Sequence, residues 1–272
     1  MPDGDFRDRC TIALDHLRVL RAHLGNDLER ARLFEFGAGW DLIVPQVFFA
    51  AGVRHQQLFD LNRLLQPDLM RDANRRLRDC AQLVSVTNPS LAVDMATLPD
   101  LAAVEQEAAL RRLGIKYVAP ADAANTGLAS ASVDAATNSL VLEHVPPSVI
   151  AAIFSELHRI VRPGGVVSSS VDMSDHYSHG DPTVSPWNFL RYPERTWHAM
   201  NPPILYQNRL RASEHLALIS GAGFRIVDSQ RRFVGTPDSF AVARKQAVPP
   251  YSSWDDVEDL RATQLHVVAI RD

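Results

Sequence analysis

The chain has 272 residues, is 46% hydrophobic and 22% charged, and carries a formal net charge of −4. Such a chain can bury a sizeable core as one large domain, with or without an insertion, and it is neither disordered nor fibrous; its excess of acid argues against a nucleic-acid partner. Its two cysteines, Cys10 and Cys80, exclude a disulfide framework and a four-cysteine zinc site, and apolar runs such as Val47–Gly52 fall far short of the ~18 residues that span a bilayer.

The acidic opening Met1-Pro2-Asp3-Gly4-Asp5 leads into an amphipathic stretch, unlike a signal peptide, so a cytoplasmic protein with no membrane partner is expected. Cys10, Leu14, Leu17, Leu20 and Leu24 recur at helical spacing over 6–24. Arg32-Leu33-Phe34-Glu35-Phe36 reads as a short buried strand running into Gly37-Ala38-Gly39, and a helix follows from about Leu42 to Ala51. Gln57-Leu58-Phe59-Asp60 reads as a second strand ending in a carboxylate. Asp60 to Tyr117 spans 57 residues, more than a plain crossover needs, so helical segments at 63–83 and 98–113, separated by Thr87-Asn88-Pro89-Ser90, are read as an insertion. Strands are predicted at Ile115–Ala119, Val133–Ser139, Val166–Val171, Phe224–Val227 and His266–Ile270. A helix opens at Pro146-Pro147 and ends at Arg162-Pro163-Gly164-Gly165, and another is capped by Ser213. Residues 172–207 read as irregular and Pro237–Pro250 as a loop. The alternation predicts an α/β fold: a doubly wound, mostly parallel sheet of seven strands with a helical insertion and cap.

A strand-to-helix turn made of glycine exposes backbone N–H groups and suits an anionic or carboxylate-bearing ligand. Gly37 and Gly39 supply that turn, but Trp40-Asp41-Leu42 follows where a dinucleotide fingerprint has its third glycine, and Asp41 would repel a pyrophosphate. Glu35 precedes the turn, and Asp60 closes the second strand 25 residues later, where a carboxylate can take both hydroxyls of a ribose. The plainer readings are an ordinary turn and a solvated carboxylate.

These residues carry a family resemblance. Leu33-Phe34-Glu35-Phe36-Gly37-Ala38-Gly39 resembles the first motif of the class I S-adenosylmethionine-dependent methyltransferases, with Asp41 in place of its last glycine. Gln57-Leu58-Phe59-Asp60 resembles the second motif, the run from Val133 to Val145 the fourth-strand motif with its terminal Leu-x-His, and the run from Leu157 to Gly165 the turn before strand five. The resemblance implies a single Rossmann-like methyltransferase domain over 1–272, with 1–31 as helical cap, 63–113 as insertion and 172–207 as an acceptor-side lid. It implies that Glu35, Gly37 and Gly39 hold the methionine end of S-adenosyl-L-methionine, that Asp60 holds the ribose, that Asp122 and Ala123 flank adenine, and that Asn138 and Ser139 meet the methionine amino group. The expected product is S-adenosyl-L-homocysteine.

Methyl transfer from a sulfonium is an in-line displacement, so positioning matters most, and a base helps when the acceptor is a hydroxyl or a protonated amine. The segment Asp172-Met173-Ser174-Asp175-His176-Tyr177-Ser178-His179 concentrates carboxylates, imidazoles and a phenol. His176 or Asp175 is read as base or acceptor orienter and Tyr177 as a wall or hydrogen-bond donor; the alternative is a loop of capping side chains. His144 closes the fourth-strand motif, where it faces the acceptor or packs the loop, and Glu143 is similar. A metal held by His176, His179 and Asp172 or Asp175 is not expected, because no tight ligand spacing such as HExxH is present. Pro186-Trp187-Asn188-Phe189-Leu190-Arg191-Tyr192, with Trp197 and Tyr206, is read either as a lid or as a mini-core, and Arg191, Arg209 and Arg211 either as an anion site or as paired charges. The expected function is methylation of a small-molecule acceptor on oxygen or nitrogen. The alternatives are a methyltransferase-fold scaffold without turnover and a nicotinamide-dependent oxidoreductase. Nucleic-acid methylation is disfavoured, because Asn-Pro-Pro-Tyr is absent after strand four and no Pro-Cys nucleophile is present.

Overall fold

The computed structural model describes residues 2–25, 28–80, 91 and 93–272. Seven strands are hydrogen-bonded in the order β3-β2-β1-β4-β5-β7-β6: β1 Arg32–Phe36, β2 His55–Phe59, β3 Ile115–Val118, β4 Val133–Ser139, β5 Val161–Asp172, β6 Phe224–Arg232 and β7 Gln264–Arg271. The sheet is mostly parallel and flanked by helices, as the alternation predicted. The chain divides into two compact units, 1–139 with 156–168 and 270–272, and 140–155 with 169–269.

In the first unit, β1 pairs in parallel with β2 and with β4, and β2 with β3. The register sets Glu35 beside both Leu58 and Thr137, so the chain leaves β1, β2 and β4 at one level. Phe34 of β1, wholly buried, meets Phe59 edge to face at 5.2 Å. Helix α1, Asp3–Leu24, packs against α2, Ile43–Ala50, and against β4. It turns Ala13, Leu17 and Leu20 inward, and its buried His16 places Nδ1 2.7 Å from Ser168 Oγ and Nε2 3.2 Å from Ser139 Oγ. Among the described residues the insertion is shorter in helix than its apolar pattern suggested. Helix α3 covers Pro67–Asp79, with proline in its first turn, and α4 covers Gln106–Arg112, capped by Glu105, whose carboxylate accepts from the Glu107 and Ala108 N–H groups. A 3₁₀ turn at Met95–Thr97 stands between them. The separator 87–90 and the end of the first predicted segment lie outside the described residues.

Helix α5, Pro147–Ile160, passes directly into β5, which begins at Val161, five residues before the predicted start. Gly165 enables that join: a Cβ there would lie 2.6 Å from Val161 Cγ1 and 2.8 Å from the carbonyl oxygens of Arg162 and Asp134.

The second unit contains α6 Tyr177–Gly180, α7 Glu194–Met200, α8 Ala212–Gly221, α9 Pro237–Gln246 and α10 Val257–Arg261. Ser213 is not the cap of α8. Arg211 takes the N-cap position and Glu214 accepts from its N–H, while Ser213 donates through both N–H and Oγ to Asp259, at 2.9 and 2.5 Å. The segment read as a proline loop contains α9, started by a capping box in which Thr236 and Ser239 each bond the other's backbone N–H. The aromatics of the irregular stretch resolve toward the mini-core: Trp187, Phe189, Leu190 and Trp197 are buried with Phe240, Ala243, Tyr251 and Leu260.

Candidate functional site

The glycine turn lies in the first unit, between β1 and α2. Gly37 and Gly39 both have positive φ, 70° and 71°. The Gly37 N–H donates to the Phe59 carbonyl at 2.8 Å, and the Gly39 N–H donates to Asp60 Oδ2 at 3.0 Å. Asp60 also accepts from the Asn62 N–H through Oδ1 at 3.3 Å, and its backbone is held by Val118 and Ala121. The carboxylate that ends β2 therefore latches the turn after β1. Burial raises Asp60 above the ordinary carboxylate range, against the N–H groups of Gly39, Asn62 and Leu61.

Glu35 is 3% exposed, and its Oε2 has no hydrogen-bond partner. Burial, with Asp41 and then Asp60 as like charges, pushes its pKa up to about 8. A buried carboxyl with an unsatisfied oxygen beside a turn is a receptor for a cation or a donor. Asp41, the departure from the motif, is absorbed locally. Its Oδ1 accepts from the Ile43 N–H at 3.1 Å and its Oδ2 pairs with Arg9 at 3.2 Å, so it starts α2 and ties α1 to the turn. Asn138 is fully buried at the end of β4, Ser139 faces His16, and Asp122 is exposed, with Oδ1 accepting from the Ala124 N–H at 2.8 Å.

The residues expected on the acceptor side lie in the second unit. After β4 the chain forms a 3₁₀ turn, Leu142–His144, and after β5 it runs Asp172 to His179. His176 meets His144 edge to face at 4.9 Å and stacks on His179 at 4.9 Å. Asp172 Oδ2 lies 3.3 Å from His179 Nε2 and 3.7 Å from His176 Nε2. Burial lowers His176 to about 4, an effect that Asp172 opposes and that His144 and His179 reinforce, so the ring is neutral near pH 7. Burial works to raise Asp172, but bonds from His179 and Ser174 outweigh it and hold the carboxyl below its ordinary value. Glu143, buried and then repelled by Asp172, lies well above the usual range.

Asp175 is fully buried and uses both oxygens: Oδ1 accepts from the Tyr177 N–H and Oδ2 from Asn188, each at 3.0 Å. It organises the loop. Tyr177 is half exposed and donates to the Met200 carbonyl at 3.3 Å. Arg211 is wholly buried and donates to the carbonyls of Met173, Arg209 and Ala262; Arg209 donates to those of Phe189 and Tyr192 and pairs with Glu194. Both are structural cations, whereas Arg191 remains exposed, over the Tyr192 ring.

Sequence reading missed Gln207 and Asn208. Asn208 donates to the Leu142 and Val145 carbonyls at 2.7 and 2.9 Å, and its own N–H donates to the Glu143 carbonyl at 2.7 Å. Gln207 donates to the Ser174 carbonyl at 2.5 Å and accepts from the His176 N–H at 3.2 Å. Two adjacent amides thus hold both loops. The available signal was a pair of amides closing a long irregular stretch.

Residues 75–169 match the family model described as a methyltransferase domain. A search of the curated proteins finds no match. Among solved structures, the chain is similar to geranyl diphosphate C-methyltransferase from Streptomyces coelicolor A3(2), in complex with Mg2+, geranyl diphosphate and S-adenosyl-L-homocysteine, with 14% identity, 95% of this chain and 78% of that one covered, and a TM-score of 0.53. It is also similar to Burkholderia thailandensis 1,6-didemethyltoxoflavin-N1-methyltransferase, with 19% identity, 98% and 83% covered, and a TM-score of 0.49. At these identities the likeness to the solved structures is one of fold. Over residues 75–169, then, the chain is similar to a methyltransferase domain, and with the structure from Streptomyces coelicolor it shares the fold.

Proposed function

We propose that the chain transfers the methyl group of S-adenosyl-L-methionine to an oxygen or nitrogen of a small-molecule acceptor. The observation that carries this reading is the Glu35–Gly39–Asp60 arrangement: a buried carboxyl with a free oxygen, a glycine N–H, and a carboxylate latched to it. An ammonium satisfies Glu35 without a new buried charge imbalance, and Asp60 keeps lone pairs for two ribose hydroxyls. Gly37 and Gly39 let the backbone approach the methionine end, Asn138 and Ser139 meet its amino group, and Asp122 with Ala123 flanks adenine. The cofactor supplies an electrophilic methyl carbon on a sulfonium. The structural neighbour from Streptomyces coelicolor holds geranyl diphosphate, which favours a small molecule as acceptor class.

On the acceptor side, His176 is the residue able to take a proton, being neutral near pH 7 with Nε2 unbonded. Asp175 holds the backbone of the His176 loop, Tyr177 walls it, and His144 supports the ring edge to face. The segment 172–207 serves as the acceptor-side lid. His176→Ala is expected to slow transfer by about 100-fold or more while cofactor affinity is kept, the range of a general-base contribution. Transfer of labelled methyl to an acceptor panel reads this, with calorimetry for binding. Equal rates in both proteins would remove His176 from the chemistry.

A further inference from the structure

Five ligating side chains converge in the second unit. The ligating atoms of Glu143, His144 and His176 all lie within 4.8 Å of one another, and so do those of Asp172, His176 and His179. We propose that Glu143, His144 and His176, flanked by Asp172 and His179, bind a divalent transition-metal ion.

Each member is oriented for that role. The Ser174 N–H and Oγ donate to Asp172 Oδ1 at 2.8 and 2.6 Å, which leaves Oδ2 facing the imidazoles. His144 Nδ1 lies 3.0 Å from the Tyr206 carbonyl; donating there, the ring keeps Nε2 as a lone-pair donor. Gln207 and Asn208 fix the two backbone segments that carry the set.

The independent observation is Glu143. The residue is 2% exposed, yet its Oε2 has no hydrogen-bond partner, and neither does His176 Nε2. A buried carboxylate oxygen left unsatisfied is costly, and a cation between it and the imidazoles removes that cost. Mixed imidazole and carboxylate ligands suit Zn2+, Fe2+ or Co2+ better than Mg2+ or Ca2+, which prefer oxygen alone. On the methyltransferase reading, such an ion would replace His176 as the group that deals with the acceptor proton, the imidazole then being a ligand and not a base: it would hold an acceptor through an oxygen and lower that oxygen's proton affinity, releasing the proton to solvent. This names the acceptor class as one presenting an ionisable oxygen.

The test uses the untagged full chain, stripped with a chelator and titrated with Co2+, with visible d–d absorption as the readout. One Co2+ per chain is expected, with affinity lowered at least about tenfold by His176→Ala and by Glu143→Gln, and unchanged by His23→Ala. His179→Ala, at a side chain 56% exposed, should weaken binding with the circular dichroism spectrum intact, so that misfolding cannot mimic the result. No d–d band in the native chain, or equal Co2+ affinity in the native, His176→Ala and His179→Ala proteins, overturns the proposal. S-adenosyl-L-homocysteine is titrated into the stripped protein in parallel. Nucleoside binding without Co2+ binding defeats the metal site alone; Co2+ binding without nucleoside binding upholds the metal site and defeats the methyltransferase reading.

Discussion

Glu35 is the residue whose chemistry depends most on its surroundings. Its pKa of about 8, against an ordinary 4.5, means that the cofactor-free protein carries it protonated at pH 7. A raised carboxyl favours the folded state fully below its unfolded value, and that contribution is lost as pH climbs from about 4.5 through about 8. An ammonium beside Glu35 favours the carboxylate instead, so cofactor binding should release a proton near pH 7, and affinity should rise with pH until about 8. Calorimetry in buffers of differing ionisation enthalpy measures this directly. Glu35→Gln should abolish the buffer dependence and make the cofactor-free protein more stable at high pH. Heats that do not vary with buffer in the native protein would contradict the assignment.

At the scale of elements, the α5–β5 join and the two amide-held loops make separate predictions. Gly165→Ala forces a Cβ to 2.6 Å from Val161 and to 2.8 Å from two carbonyl oxygens, so it should destabilise by about 1–3 kcal/mol. A thermal scan should then show a melting temperature lower by roughly 2–4 °C for each kcal/mol. Asn208→Ala removes two bonds that hold the Leu142–His144 turn, at about 1 kcal/mol each. Transfer should slow while nucleoside affinity is unchanged, because the residues proposed to hold the cofactor lie in the first unit. A loss of both together would mean that the amide acts through general stability.

Elements with strong local signals were legible from sequence. The apolar side chains of β1, the motif residues of β4 and the glycines at 37 and 39 carry their own signals, and the observed bounds of both strands match the predicted ones. Helix α9 was missed because prolines surround it and only Phe240 and Ala243 face inward; its capping box is polar and reads as a turn. Strand β6 runs five residues past its predicted end at Val227 because its last stretch, Asp228–Arg232, lies at the sheet edge with no apolar pattern. Of the residues proposed to hold the cofactor, Glu35, Gly37, Gly39 and Asp60 lie within one stretch of chain whose motif marks them. His16, Gln207 and Asn208 could not be named in advance, because Ser168, Ser174, His176 and Leu142, which they bond, lie 31 to 152 residues away, and no periodicity records such pairings.

For the whole molecule, the proposed function comes down to one claim: that the turn after β1 and the carboxylate after β2 hold the nucleoside of S-adenosylmethionine. Among the described residues, no helix is long and apolar enough to cross a membrane. The most direct measurement is a calorimetric titration of S-adenosyl-L-homocysteine into the native chain and into Asp60→Ala, with NAD as the competing ligand. The predicted result is saturable binding to the native chain, weakened about 100-fold by loss of two hydrogen bonds to a charged group, and no heat from NAD. Equal affinity in Asp60→Ala, or binding of NAD in place of the nucleoside, would contradict it.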